Sequence, residues 1–179
     1  MATTIARPDA TEFPAALGAY IAELTHDPDG VSALERQRVE IAALARLTPE
    51  QAAFCYAEGK WSVREVVGHM TDTERIFSYR LLRIARGDRT LLAPFDEQHY
   101  AASSNAARRD ITNLASELSL VREASIALVR SLDERVFDAR GLVQAGELTA
   151  RAQVFLIAGH FAHHATILRE RYRLDLDSP

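Results

Sequence analysis

The chain has 179 residues and carries 21 lysine and arginine residues against 25 aspartate and glutamate residues, which gives a formal charge of -4 at pH 7. This balance, without any basic cluster, excludes a protein that binds the phosphate backbone of a nucleic acid. The single cysteine, Cys55, excludes an intramolecular disulfide and a cysteine-based zinc cluster, and it favours a reducing cytoplasm. A chain of this length buries enough surface for one folded domain, predicted over residues 1–179.

The apolar segments are too short to cross a membrane. The longest apolar run, at residues 154–159, is far below the roughly 20 residues that a bilayer-spanning helix needs. The N-terminus lacks a basic stretch, a long apolar run and a small-residue cleavage site, so no signal peptide is predicted. We therefore expect a soluble cytoplasmic protein without a membrane partner.

Apolar residues spaced three or four apart predict helices along the first half of the chain. A first helix is predicted over 11–25, and a Ser-x-x-Glu capping box at 32–35 predicts the start of a second. Thr, Pro, Glu and Gln at 48–51 start a short helical turn, with proline at the first helical position. The clearest helix begins at the capping box 62–65 and continues to Gly87.

The second half of the chain predicts two further long helices, separated by loops. Residues 87–104 show little periodicity and predict a long surface connection, which is followed by a helix at about 105–132. A second loop is predicted over 133–148 and a last helix from 149 to about 172. No segment shows sustained period-two alternation. The prediction is an all-α four-helix bundle with short extra helices and a long crossover that lets the second and third bundle helices run parallel.

Two of the six histidines lie one turn apart on the last predicted helix. At about 100° per residue, His160 and His164 are roughly 40° apart on the apolar face, with Cβ atoms about 6 Å apart, so both imidazoles can reach one cation. His163 lies roughly 60° to the other side of His160, at the margin of that face, and is the weaker candidate. His69 lies beside the buried face of the helix that begins at 62–65.

Neither His69 alone nor the pair His160 and His164 alone is strong evidence for a metal site. A single buried histidine more often bonds a carbonyl oxygen than a metal, and His-x-x-x-His occurs by chance on many helices. Three imidazoles facing one core need partners, however, because unpaired buried polar groups cost free energy. We therefore predict that His69, His160 and His164 bind a divalent metal, for which imidazole donors allow zinc, nickel, iron or cobalt.

The segments KWSVREVVGHMTDTER and, about ninety residues later, AGHFAHHATILRERY, with RIARGD and PFDE between them, resemble the DinB-like family of small bacterial four-helix-bundle proteins. The resemblance covers roughly residues 13–173. It implies that His69 and the pair His160 and His164 coordinate a divalent metal. It also implies a homodimer, the commonest symmetric assembly. One branch of the family contains transferases and isomerases that use bacillithiol or mycothiol, which the resemblance makes candidate activities here. Many family members have no assigned reaction.

Three neutral imidazoles leave at least one coordination position for water or substrate, which is the pattern of catalytic zinc. A thiol bound there would lose its proton and become a strong nucleophile. These ligands therefore favour a metal-dependent thiol S-transferase acting on a small electrophilic substrate. Asp72, one turn after His69, could orient the His69 ring through a hydrogen bond, although an exposed or capping aspartate is equally consistent with its position.

Two other functions stay open at this point. Metal-dependent hydrolysis is one, although the general-base glutamate of His-Glu-x-x-His is replaced here by Phe161. The other is a non-catalytic, metal-stabilised dimeric bundle that binds another protein or a small ligand. An open coordination position at the base of a pocket, beside a polar group that can handle a proton, would indicate an enzyme.

Several other residues favour structural or solvated positions. Trp61 is expected to anchor packing, and Cys55 is more commonly a buried small side chain than a reactive thiol. His26 and His99 lie in polar loops and are expected to be solvated. Three arginines on one helix face are expected to be solvated as well, with binding of an acidic substrate group as the alternative. They are Arg80, Arg83 and Arg86.

Overall fold

Side-chain caps begin six of the eight helices of the computed structural model, which describes residues 4–176. Thr48 and Ser62 form predicted capping boxes, in which each hydroxyl accepts a hydrogen bond from the backbone N–H three residues further on. Thr149 caps the last helix in the same way. The helices are α1 (Gly18–Ala22), α2 (Gly30–Arg36), α3 (Arg38–Leu44), α4 (Pro49–Ala53), α5 (Val63–Ala85), α6 (Glu97–Ser103), α7 (Ile111–Arg130) and α8 (Ala150–Glu170).

Two helices begin at other residues than predicted. Asp29 caps α2, and its carboxylate accepts a hydrogen bond from the Ser32 N–H at 2.8 Å, so Ser32 lies inside the helix. Asp110 caps α7, which therefore starts later than the predicted residue 105. Aspartate satisfies the free N–H groups of a first turn as well as serine does, and it also favours the positive end of the helix dipole.

The two long helices on either side of the crossover run parallel. Arg75 of α5 pairs with Glu117 of α7 at 2.6 Å, and Ser78, further along α5, bonds Ser125, further along α7, at 2.8 Å. The predicted parallel arrangement is confirmed. The connection between the two helices must return the chain along the length of the bundle, as parallel neighbours require.

The last helix closes the bundle by running antiparallel to α5. Gln153, near the start of α8, donates a hydrogen bond to the Phe77 carbonyl of α5 at 3.3 Å, whereas His160, further along α8, lies against the earlier residue His69. The predicted all-α four-helix bundle is confirmed. Within residues 4–176 no helix combines the length and the apolar character that a membrane crossing requires.

Pro14 breaks the first predicted helix, 11–25. Two short 3-10 turns, Ala10–Glu12 and Ala15–Leu17, and the five-residue helix α1 stand in its place. Phe13, the residue before the proline, is extended with φ -152° and ψ 154°. A proline disfavours the helical conformation of its predecessor and removes one backbone donor, so the apolar spacing continues across a real helix break.

Both predicted loops contain regular structure. The connection 87–104 includes α6, and the second loop includes an antiparallel hairpin of β1 (Arg140–Val143) and β2 (Gly146–Thr149). The Leu92 N–H donates a hydrogen bond to the Leu142 carbonyl at 2.8 Å, so the crossover packs against this hairpin. The prediction of a loop over 133–148 is wrong at the hairpin, because four-residue strands are too short to show period-two alternation.

A layer of buried polar side chains separates two apolar clusters of the bundle. One cluster packs the start of α8 against α1, α2 and the end of α5, and the other packs the end of α8 against α3, α4, α7 and the start of α5. Buried polar side chains between the two clusters include His69, Thr73, Glu74, Arg122, Gln153 and His160. The candidate site lies in this layer.

The centre of the polar layer is a fully buried ion pair. Arg122 forms two hydrogen bonds of 2.8 Å each with the Glu74 carboxylate, and both side chains are at most 4% exposed. The remaining donor of Arg122 reaches the Leu34 carbonyl at 3.1 Å and the Gln37 amide oxygen at 2.7 Å, and its guanidinium stacks 4.9 Å from the Phe161 ring. One arginine thus connects all sides of the bundle.

Candidate metal centre

The first candidate ligand faces inward from α5. His69 is 4% exposed and lies on the buried side of α5 next to Met70. Gly68, directly before it, lets another segment approach closely, since a Cβ there would lie 2.7 Å from the Ala106 Cβ. The end of the crossover therefore packs against the helix at the position of the candidate ligand.

The other two histidines approach from α8. His160 is 5% exposed, and His164 lies one turn further on, at the partly exposed edge of the bundle core. The Nε2 atoms of His69 and His160 are 3.1 Å apart, and one ring nitrogen from each of the three histidines lies within 4.8 Å of the others. The structure brings the three predicted residues together as one cluster, called the histidine triad below.

Burial keeps the histidine triad uncharged at neutral pH. Desolvation lowers the pKa of His69 to about 4 and that of His164 to about 3, and it also lowers the pKa of His160 well below 6.5. Neutral imidazoles have a lone pair for a cation. Around a tetrahedral zinc with Zn–N distances of 2.0–2.1 Å, ligand nitrogens lie about 3.3 Å apart, which is close to the separation of His69 and His160. The donor set fits a divalent metal.

Two further candidates from the sequence face elsewhere. The Nδ1 atom of His163 lies 3.4 Å from the Glu23 carboxylate, outside the histidine triad. Asp72 pairs with Arg75 at 3.4 Å and borders a separate surface cavity, where burial raises its pKa. A residue three positions after His69 is turned about 60° around the helix, so the structure does not bring Asp72 to the His69 ring.

Aromatic rings enclose the histidine triad. The Trp61 ring lies 4.9 Å from the His69 ring, and this contact agrees with its predicted packing role. On the other side, the Tyr20 and Phe77 rings lie 5.6 Å and 5.7 Å from the His160 ring. These contacts leave the imidazoles with apolar neighbours, which is why desolvation dominates their pKa values.

Two pockets reach the histidine triad from different sides. The first pocket contacts His69 and His160, and the second contacts His164. The start of α6 stands between them, because Glu97 lines the first pocket and Gln98 lines the second. The first pocket is also lined by Leu17, Tyr20, Thr73, Phe77, Arg80, Pro94, Phe95, Val143, Gln144, Ala145, Gln153 and Leu156. The second is also lined by Tyr56, Gly59, Lys60, Trp61, Val66, Ile167 and Tyr172.

The sequence analysis did not predict that three polar residues share the first pocket. They are Thr73, Arg80 and Gln153. Thr73 lies four residues after His69 and Gln153 lies seven before His160, so both share a helix face with a triad histidine. That spacing was a usable signal. Arg80 was expected to be solvated with its neighbours, but in the structure it is only partly exposed and lines the pocket wall.

The other residues noted in the sequence lie outside both pockets. Cys55 is exposed, so the expectation of a buried small side chain is wrong. His26 and His99 are exposed as expected, although His99 belongs to α6 and not to a loop. Arg83 forms an ion pair at the surface and Arg86 faces solvent. None of these five side chains contacts the histidine triad.

Fold and site together define a class of protein: a four-helix bundle whose core brings together three histidines that could hold one divalent cation. The family model of the DinB superfamily matches residues 33–168 of this chain. The chain belongs to the DinB superfamily.

Two curated relatives have the name "Putative metal-dependent hydrolase". One, from Oceanobacillus iheyensis, is 29% identical over 125 residues, which cover 66% of this chain and 68% of that protein. The other, from Bacillus licheniformis, is 30% identical over 138 residues, which cover 74% of this chain and 77% of that protein.

The fold is also shared with a solved structure. The chain is similar to YfiT from Bacillus subtilis with a TM-score of 0.72 and 22% sequence identity, over 80% of this chain and 84% of that one. The YfiT structure is described as "a probable metal-dependent hydrolase with an unusual four-helix bundle topology". At this level of identity the likeness shows the common fold.

Proposed function

We propose that the protein binds a divalent metal through His69, His160 and His164 and acts as a metal-dependent thiol S-transferase on a small electrophilic substrate. The observation that supports this best is the pair of pockets that meet at the histidine triad. Transfer between two organic molecules needs room for both beside one metal. Hydrolysis needs a pocket for one organic molecule only.

Each part of the site has a defined task in this reaction. The neutral imidazoles hold the metal, and the rings of Trp61, Tyr20 and Phe77 exclude water around it. The metal, when bound, lowers the pKa of a thiol or water ligand. A thiol bound beside that metal would be a thiolate at neutral pH, next to the pocket for the electrophile.

The thiol has to come from a second molecule. Cys55 is the single cysteine of the chain, and its exposed side chain lines neither pocket. Bacillithiol and mycothiol are the thiols that the sequence resemblance indicates. Low-molecular-weight thiols stay reduced in the cytoplasm, so the proposal places the protein there.

Metal-dependent hydrolysis is the second candidate, and two observations favour it. The curated relatives from Oceanobacillus and Bacillus are named as hydrolases. In addition, Glu97 lines the first pocket, where a carboxylate can accept the proton that a nucleophilic water releases. Burial and the negative charge of Glu97 raise the pKa of Tyr20, which places this carboxylate on the Tyr20 side of the pocket.

Metal analysis tests the site. We expect about one divalent metal ion per chain in the purified protein, and its loss from the variants His69→Ala, His160→Ala and His164→Ala. His163→Ala is the matched control, because it removes a neighbouring imidazole that faces Glu23 and should leave metal content unchanged. Full metal retention by all three variants would contradict the proposed centre.

Activity assays distinguish the candidate reactions. The metal-loaded protein should conjugate bacillithiol or mycothiol, and less readily glutathione, to the neutral electrophile monochlorobimane. Glu97→Gln should leave this conjugation intact but remove hydrolysis of an ester such as p-nitrophenyl acetate, if hydrolysis is the reaction. Activity that survives complete metal removal contradicts both candidates. A stoichiometrically metal-loaded protein without either activity supports the non-catalytic bundle instead.

A further inference from the structure

Arg80 is a half-buried cation in the wall of the first pocket. Its Nη2 atom donates a hydrogen bond to the Ala93 carbonyl at 2.8 Å, and its guanidinium lies 5.5 Å from the centre of the Phe77 ring. Among the ion pairs of residues 4–176, none includes Arg80, in contrast to its neighbours Arg75 and Arg83 on the same helix. A partly buried charge without a carboxylate partner gives up part of its hydration without a compensating ion pair.

Thr73 presents a second unsatisfied group to the same pocket. Its side chain is 1% exposed, and its hydroxyl has no hydrogen-bond partner among the described residues. The nearby Thr71 shows the usual arrangement, in which the hydroxyl bonds the carbonyl four residues earlier, here that of Val67 at 2.8 Å. Thr73 lines the pocket one turn after His69, and its hydroxyl would gain its missing hydrogen bond from a ligand that reaches it.

We infer that the first pocket binds an organic carboxylate, with Arg80 holding the carboxylate group and Thr73 contacting the polar part of the molecule between Arg80 and the histidine triad. This inference rests on the proposed function and specifies its electrophilic substrate as a small organic acid. The amide of Gln153, which is 1% exposed and lines the same pocket, adds a further polar contact.

The geometry of α5 sets the length of this substrate. Residues 69, 73 and 80 lie within about 40° of one another on the helix, so metal ligand, hydroxyl and cation follow one another along one line. Helical side chains lean toward the N-terminus, so the guanidinium reaches back over Phe77 toward the histidine triad. The Phe77 ring lies 5.7 Å from the His160 ring and 5.5 Å from the guanidinium carbon of Arg80. One short molecule lying along the Phe77 ring could therefore contact both the histidine triad and Arg80.

Glu97 is the acidic side chain of this pocket, and no ion pair among residues 4–176 joins it to Arg80. Burial and then the negative charge of Glu97 raise the pKa of Tyr20, whereas desolvation lowers the pKa of Arg80. Arginine forms paired hydrogen bonds with a carboxylate that a lysine or an amide does not reproduce.

Binding of hexanoate and of its neutral analogue hexanamide tests the inference by titration calorimetry, with metal-loaded and with metal-free protein. We expect the parent protein to bind hexanoate at least about tenfold more tightly than hexanamide in both forms, and Arg80→Gln to lose that preference. Arg80→Lys should keep part of the preference for hexanoate, and Thr73→Val should weaken the binding of both hexanoate and hexanamide. Arg83→Gln is the matched control, because this arginine is already paired at the surface.

A preference for hexanoate that survives in a folded Arg80→Gln protein would overturn the inference, as would a preference seen only with metal bound. Folding of each variant is verified by its thermal transition. Conjugation of the uncharged monochlorobimane should be unchanged in the surface control Arg83→Gln. If the protein conjugates monochlorobimane but does not prefer hexanoate, the carboxylate site is contradicted and the thiol S-transferase is supported. If the protein prefers hexanoate through Arg80 but does not conjugate monochlorobimane, the carboxylate site is supported and the thiol S-transferase is contradicted.

Discussion

At the scale of single residues, two triad histidines directly follow a glycine that brings another segment close. A Cβ at Gly159 would lie 2.2 Å from the Tyr20 carbonyl oxygen, which belongs to the backbone of α1 and cannot rotate away. This close approach places the Tyr20 ring beside His160. Gly68 has the same relation to Ala106 in front of His69. Small residues before the ligands thus shape the walls of the site.

We expect Gly159→Ala to lower the free energy of unfolding by about 1–3 kcal/mol, because the new methyl group pushes α1 away from α8. The higher helix propensity of alanine, worth up to about 1 kcal/mol, offsets only part of this loss. Gly18→Ala is the matched control, since its Cβ would meet the Phe13 ring at an ordinary 3.5 Å. Urea unfolding of both variants measures the effect, and equal stabilities would contradict the close contact.

The histidine triad should also make the metal-free protein sensitive to acid. Folding lowers the pKa of His69 from 6.5 to about 4 and that of His164 to about 3, so the unfolded chain takes up protons that the folded protein excludes. Stability should therefore fall as pH drops from about 6.5 to about 4, by up to about 1.4 kcal/mol per pH unit for each buried histidine.

Urea unfolding of metal-free protein between about pH 7 and pH 4.5 measures this slope. His164→Gln should reduce it, because one proton-binding group is removed from the unfolded state. His26→Gln, a change at an exposed histidine, should not. Stability that is independent of pH in this range would show that the imidazoles are not buried in the neutral form.

At the scale of helices, the ion pair of Arg122 and Glu74 joins α5 and α7 in the same polar layer that contains the site. Replacing Arg122 by methionine leaves a buried carboxylate without its cation, so we expect a loss of about 3–5 kcal/mol in the free energy of unfolding. The double variant with Glu74→Met should recover most of this loss, because it removes both charges.

Arg38→Met is the matched control for this helix contact. Arg38 pairs with Glu123 between α3 and α7, but both side chains are close to half exposed, at 46% and 45%. Exposed ion pairs contribute little to stability, so this variant should unfold almost like the parent. Similar losses for Arg38→Met and Arg122→Met would mean that burial of the central pair has no special effect.

At the scale of the whole molecule, the homodimer stays a proposal, and the outer groove between α5 and α7 is the surface that we propose for it. Tyr79, Leu82, Val121 and Leu128 line this groove, and Tyr79 is 52% exposed. A twofold interface must be complementary to itself, which a mainly apolar surface satisfies; Arg75 is the charged side chain of this groove and is paired with Glu117. The opposite side of α7 instead has ion pairs with α2 and α3.

Light scattering should give the mass of two chains for the parent protein and of one chain for Leu82→Glu, because a charge in an apolar interface opposes association. Leu120→Glu is the control: this side chain is 72% exposed and lies outside the groove. A monomeric parent at the same concentration would contradict the dimer. Metal content should be equal in both variants, since neither position contacts the histidine triad.

The sequence by itself determined the three long helices and most of the histidine cluster. Caps such as Ser62 and Thr149 and the i, i+4 pair of His160 and His164 depend on neighbours within one turn, so local spacing is enough to predict them. His69 was predicted from its position on a helix face and from the family resemblance. Its short distance from His160 depends on the packing of α5 against α8, which the sequence does not show.

Only the tertiary structure decided what surrounds those histidines. The partners of Arg122 lie 48 and 85 residues away along the chain. The unpaired state of Arg80 and the unsatisfied hydroxyl of Thr73 likewise depend on which groups other segments place nearby. Periodicity reports which face of a helix is apolar, but it contains no information on which distant side chains meet there. The two pockets, and with them the proposed substrate, follow from those distant contacts.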